Sequence, residues 1–458
     1  MEDFLLCSQL RSALYKPQGL KPRPTQALCQ KERGNVSRTT QQGRTYGDIG
    51  ELALSAQSAA KAYELRNRAG DREKFFITLT YYRQVTGDLE GAARTCELWI
   101  QTYPRDVLAH TLFSAYTSLG RGQYLKSIEE ANKGIELDAN YPPGYWNLAG
   151  SYVYLDRIDE AQEVLRKAAG RKLETSELLM MRYFIAFLKN DQAGMETEIE
   201  HAKGDLMAEG WVIHAEALMH ARLGRFVEAG VLSQRAVESA RQARQTEQAA
   251  LFEAGAAIYS SLIGNAREAV RKANAALTLS KGRDVEYSVA SALALAGDSA
   301  GPRQLANDLA KRFPEDTVVR FTYLPTLRAL LALHTGEPAK AIELLEPNVP
   351  YELAIPGNAY DAFFGSLFPA YVRGQAYLAL RRGPEAAAEF QKILDHRGLV
   401  LVDPIAAVVR VQMGRAWALV RDTDRARAAY QDFFTLWKEA DPGIPLVKQA
   451  KLEYTKLR

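Results

Sequence analysis

Six histidines, three cysteines and scattered acidic pairs are the side chains in this chain that could do chemistry. A metal site needs two or three His, Cys or carboxylate ligands on one face or in one tight turn. His110, His201, His214, His220, His334 and His396 do not cluster. His214 and His220 are six residues apart, which puts them on different faces of a helix. Cys7, Cys29 and Cys96 have no metal-binding or redox spacing, and three thiols make no disulfide framework. Cys96 falls at an apolar position and reads as a small buried side chain. The chain has no GxxxxGK[ST], HExxH, CxxC or GxSxG. Glu129–Glu130 and Asp159–Glu160 read as solvated turns and outer faces, not as carboxylates in an apolar pocket. The reading is therefore of a non-enzyme with no cofactor and no metal.

The elements that would position any site are short paired helices. In Tyr145–Leu173, Leu148, Ala149 and Tyr152 share one helix face, and Ala161, Leu165 and Ala168 share another. A polar turn, Asp156–Arg157, separates them. Each apolar stripe is too narrow to fold alone in water, so the pair must stack on copies of itself. Copies occur on both sides. Upstream, Leu112, Phe113, Tyr116, Gly120, Ser127, Ala131 and Gly134 repeat the pattern, with Arg121 and Gly122 lengthening the turn. Gly374, Tyr377, Ala386, Phe390 and Ile393 form a clear copy downstream, and Met413 to Phe433 the last. Gly87, Gly120, Gly224, Gly264, Gly297 and Gly336 are expected to hold left-handed turns between helices.

This pattern resembles the tetratricopeptide repeat, with its period of about 34 residues. The resemblance implies an all-α, right-handed solenoid of about ten helix pairs, closed by a capping helix near Pro445–Leu457. Gly50–Arg68 reads as the second helix of a cut first repeat, with Ala56, Ala60 and Tyr63 on one face. The domain reading is an irregular, disordered leader over residues 1–47 and a repeat array over 48–458. Met1–Tyr46 holds eight Lys/Arg against three Asp/Glu, and the whole chain has net charge +3. Such a tail can attract nucleic acid, although it has no aromatic interleaving. No apolar run approaches the 18–20 residues that span a bilayer, and the start lacks a signal-peptide core. The chain as written is expected in the cytoplasm.

In the tetratricopeptide fold the first helix of each pair lines a concave groove. The repeat register then places Tyr81, His110, Ser114, Trp146, Tyr154, Met180, Trp211 and His214 there as candidates for contact with a protein or peptide partner. Tyr152, in contrast, is expected between helices. The family's carboxylate clamp of Lys, Asn and Arg is not matched. Its first two positions fall at His110 and Ser114, and although Asn147 could match a later asparagine, Glu177 and Met181 follow.

Longer stretches are similar to one family in particular. They include AYELRNRAGDREKFF (Ala62–Phe76), VTGDLEGAARTCELWIQTYPR (Val85–Arg105), ALAGDSAGPRQLANDLAKRFPEDT (Ala294–Thr317) and AAEFQKILDHRGLVLV (Ala387–Val402). These resemble the C-terminal repeat region of bacterial, especially acidobacterial, serine/threonine protein kinases. The resemblance covers about residues 50–458 and brings no catalytic motif. Asp395–His396–Arg397 has the outline of a kinase catalytic loop, but Gly398 stands where the aspartate base belongs. The resemblance implies a docking or sensory array in kinase-type signalling, placed outside the cytoplasm if the chain is a fragment of a membrane kinase. An accessory subunit of a separately encoded enzyme, and nucleic-acid binding through the leader, are the other readings.

Overall fold

The computed structural model describes residues 52–457 together with residues 39, 42, 43 and 45–47. The expected leader, with Cys7 and Cys29, lies outside the described residues apart from those few. Among the described residues every regular element is helical, and the fold is an all-α repeat.

The pair Pro142–Tyr154 and Ile158–Gly170 shows how each unit forms. Pro142 and Pro143 begin the first helix, where the missing N–H costs nothing. Asp156 turns the chain with φ 58°, and the Arg157 amide closes the turn on the Tyr152 carbonyl at 2.8 Å. Ala149 and Ala161 are fully buried where the two backbones meet, and Leu148, Val153, Val164 and Leu165 fill the seam. Tyr152 is only half-buried, a correction to its expected place between helices. The Arg157 guanidinium sits 4.7 Å above its ring.

Ten such pairs are described, from Asp71–Tyr81 with Leu89–Thr102 to Ile405–Leu419 with Thr423–Leu436. Leu52–Glu64 precedes them and Pro445–Thr455 covers the last pair, where Tyr454 packs edge-on to Phe434 and Glu453 accepts from Arg415 and Tyr430. The buried face of Leu52–Glu64 is Ser55, Ala59 and Ala62, one residue round from the expected Ala56, Ala60 and Tyr63. Tyr63 stacks instead on Tyr81, with ring centroids 3.9 Å apart. Left-handed backbone occurs in the expected turns at Gly87, Gly224, Gly264, Gly297 and Gly336. Gly120 departs from the expectation: its φ is −82°, and Gly122 takes φ 65° in its place. The two additional residues move the reversal downstream.

A solenoid unit ordinarily touches only its neighbours in sequence. Here residues more than 200 apart are also stapled together. The Thr317 amide donates to the Gly87 carbonyl at 3.0 Å, and the Asp441 amide to the Gly224 carbonyl at 3.0 Å. Trp437 Nε1 donates to the Arg222 carbonyl at 2.9 Å, and Arg225 pairs with Glu439. Both stapling glycines serve two needs. A Cβ on Gly87 would stand 2.0 Å from the Asp316 carboxylate, and one on Gly224 would stand 2.6 Å from Ala440 Cβ.

Two irregular segments interrupt the pairs. The first runs from the 3-10 turn Glu346–Tyr351 through the short helix Gly357–Ala362 to residue 367. The second, residues 396–404, includes the single turn Arg397–Val400. Both pack against first helices of earlier pairs.

Candidate functional site

The wall built by the first helices is occupied by the chain's own residues. Tyr360 meets the Trp146 ring edge-on at 6.5 Å. Phe363 meets Phe184 at 5.0 Å and Trp211 at 6.5 Å, both edge-on. Phe364 lies edge-on to His214 at 6.5 Å, over Gly255. A Cβ on Gly255 would stand 3.0 Å from the Phe364 ring, so the absent side chain there makes room for that ring. Wall side chains also hold the backbone of the segment. His214 Nε2 donates to the Ala362 carbonyl at 3.0 Å, and Gln248 Nε2 to the Asp361 carbonyl at 2.6 Å. The Tyr124 hydroxyl donates to the Leu353 carbonyl.

The segment is anchored at both ends. Glu352 pairs with Arg373 and, at 3.1 Å, with Lys392. The buried Asp403 carboxylate accepts from the Gly365 amide at 2.7 Å and the Ile405 amide at 2.9 Å, tying the two irregular segments together. Burial raises the Asp403 carboxyl to about 6 against those two amides and Arg222. In the middle, the Tyr323 hydroxyl donates to Asp284 at 2.5 Å and lies 3.2 Å from the Asn358 side-chain oxygen. Arg283 bridges Asp284 and Asp316 beneath it. The second segment is seated by Gly398, where a Cβ would come within 1.8 Å of the Val153 carbonyl. Arg397 adds a 2.7 Å bond to Asp156.

Trp146, Trp211 and His214 are brought together on one surface, each against residues 360–364. Tyr154 is half-buried and packs on Tyr124 at 5.4 Å, and Met180 is buried in the core. Tyr81 lies apart from them in its stack with Tyr63. His110 and Ser114 are buried and bond to the second helix of their own pair, so neither polar group points into a groove. Ser114 Oγ donates to the Ser127 carbonyl at 2.9 Å. His110 has both ring nitrogens against acceptors, Glu130 at 2.6 Å and the Pro104 carbonyl at 3.0 Å. Two acceptors require two donors, so the ring is an imidazolium. Its hydrogen bond to Glu130 raises its pKa. Burial works to raise the Glu130 carboxyl, but hydrogen bonds from His110 and Lys126 hold it down at about 2.

His214 is the opposite case. Burial pushes its pKa down to about 3, so the ring is neutral and Nε2 carries the proton given to Ala362. Cys96 is buried, and burial pushes its thiol pKa up, as suits an inert packing residue. Among the described residues no three His, Cys, Asp or Glu side chains gather as metal ligands. No described helix is long and apolar enough to cross a membrane. A cavity of about 600 Å³ opens beside the occupied wall, bounded by Tyr116, Arg283, Asp316, Ile355 and Tyr360 among others.

The irregular segment was not singled out from the sequence, although a signal was there. The left-handed turns at Gly122, Asp156, Asn190 and Gly224 are 34 residues apart, whereas Gly336 and Arg381 are separated by 45. The excess falls on residues rich in aromatic side chains, from Tyr351 to Phe368.

No protein-family model matches this chain, and no curated protein does. Among solved structures, the chain is similar to yeast Tom70 at 12% identity and TM-score 0.35, covering 92% of this chain and 95% of that one. It is also similar to the TPR domain of P58(IPK) at 14% identity and TM-score 0.25, covering 85% of this chain and 98% of that one. At those scores the all-α repeat fold rests on the helix pairs themselves.

Proposed function

We propose that this chain is a non-catalytic scaffold that binds polypeptide, the docking or sensory part of a kinase-type signalling protein. One observation carries the reading. The first-helix wall already holds a stretch of polypeptide outside the pairs, the short helix Gly357–Ala362 and the residues after it, through Trp146, Phe184, Trp211, His214 and Gln248. Rigid aromatic side chains bury much area at low entropic cost, and side-chain donors to carbonyls hold backbone of any sequence. The kinase context comes from the similarity of residues 50–458 to kinase-associated arrays.

The test uses the whole chain in two assays. With labelled ATP and Mg²⁺, phosphate transfer should stay at background; reproducible autophosphorylation would overturn the non-catalytic reading. A saturable protein partner recovered from the source cells should bind the Trp211→Ala variant about tenfold more weakly or worse, the range of an aromatic hot spot. If no protein binds saturably, the scaffold reading fails.

A further inference from the structure

We propose that residues 352–364 are an intramolecular ligand that closes the first-helix wall, and that its replacement is a partner polypeptide that presents the same aromatic spacing on a short helix. That spacing is one aromatic residue followed, three and four positions on, by two more. The inference rests on the scaffold reading above.

Three observations support it. The segment lies in the widest interval between successive inter-helix turns, 45 residues from Gly336 to Arg381, where the other described intervals run from 33 to 40. It is held as a ligand is held. Tyr360, Phe363 and Phe364 enter separate positions on the wall, and the carbonyls of Asp361 and Ala362 accept from Gln248 and His214. The aromatic positions read side-chain spacing, and the carbonyl bonds read backbone, which any polypeptide offers. The neutral state of His214 suits this use, because its single proton is directed at a carbonyl.

The segment is also held under strain. Phe363 and Leu367 have φ of 59° and 58°, a left-handed backbone that side chains other than glycine rarely adopt. Gly365 between them has φ 96°. Release would relax Phe363. The contacts at its ends are polar: Glu352 on Arg373 and Lys392 at one end, the Gly365 amide on Asp403 at the other. Val349 and Leu353, where the segment begins, are exposed. An arriving polypeptide must match what it displaces. The required partner is therefore defined by aromatic spacing and free carbonyls, with no charged group needed at the Ala362 position.

Two measurements test this on the full chain. In native-state hydrogen exchange, amides of residues 354–364 should exchange through an opening that leaves the wall helices protected. Exchange of segment and wall in one global event would overturn the proposal, because the segment would then be permanent core. In the second, residues 352–364 are replaced by a Gly/Ser linker of equal length. A fluorescent peptide of the sequence ELAIPGNAYDAFF is then added to this variant and to the unaltered chain.

The variant should bind the peptide at least tenfold more tightly than the unaltered chain does. A peptide with alanine at all three aromatic positions should not bind. A folded variant that fails to bind the peptide overturns the proposal, and so does loss of the helical signal on linker replacement. If the unaltered chain and the linker variant capture a protein partner equally well, the scaffold reading stands and the intramolecular ligand does not.

Discussion

The wall and its filling are made by different physics. The wall is built from neighbours: Ala149 against Ala161, and a left-handed reversal every unit. Its contacts are local, small residues mark where backbones approach, and each unit repeats the last. The filling is built from strangers. Leu353 meets Tyr124, Ala362 meets His214, and Gly398 meets Val153, across 148 residues for the His214 bond and 229 for the Tyr124 bond. It uses aromatic rings and carbonyl oxygens where the wall uses alanine. The contrast shows that a repeat fold can carry one non-repeating element, provided the wall supplies donors and vacant positions such as Gly255.

The largest expected effect separates the two by deletion of a ring. Phe390 is fully buried between the two helices of its pair, against Gly374, and Phe390→Ala should cost about 3–5 kcal/mol in urea unfolding. Phe364, 2% exposed in the filling, should behave differently on truncation. Phe364→Ala should lower amide protection of residues 354–364 while moving the main unfolding midpoint much less. Equal losses in both assays would erase the distinction.

The next effect uses the two buried histidines. His214 faces the filling and has its pKa lowered to about 3. Its folded state resists protonation, so its contribution is present above the unfolded value of about 6.5 and is lost as pH falls toward 3. At pH 4 that loss is about 3 kcal/mol, and His214→Gln should flatten this acid limb in unfolding titrations. His110 sits in the wall with its pKa raised by Glu130. Its contribution is present below about 6.5 and fades as pH rises through the folded value, so His110→Gln should flatten the opposite limb. Flattening of the same limb by both variants would refute the two environments.

A smaller effect tests the outer wall. Tyr152 is half-buried under Arg157, so Tyr152→Ala should cost about 1–2 kcal/mol in thermal unfolding, well below a core aromatic. A loss as large as that of Phe390→Ala would restore Tyr152 to the seam between helices. The smallest effect concerns the staples that join distant units. Trp437→Phe keeps a ring against Phe226 but removes the bond to the Arg222 carbonyl. About 1 kcal/mol should be lost, read by urea midpoint. No change would mean that the staple is supported by Arg225–Glu439 and the Asp441 amide alone.

The sequence by itself determined the units. Alanine and leucine at helical spacing, a turn residue between stripes and a recurring interval are local signals, and each helix needs only its neighbour to satisfy them. That is why ten pairs and the closing helix at Pro445 were legible. Only the tertiary structure decided what the first-helix wall faces. His110 and Ser114 share a register with Trp146, yet both bond to the second helix of their own pair, to Glu130 and Ser127. The filling was hidden for a more basic reason. Tyr360, Phe363 and Phe364 acquire their surroundings from helices about 110 to 210 residues away, and a pattern read within one unit has no access to contacts at that distance.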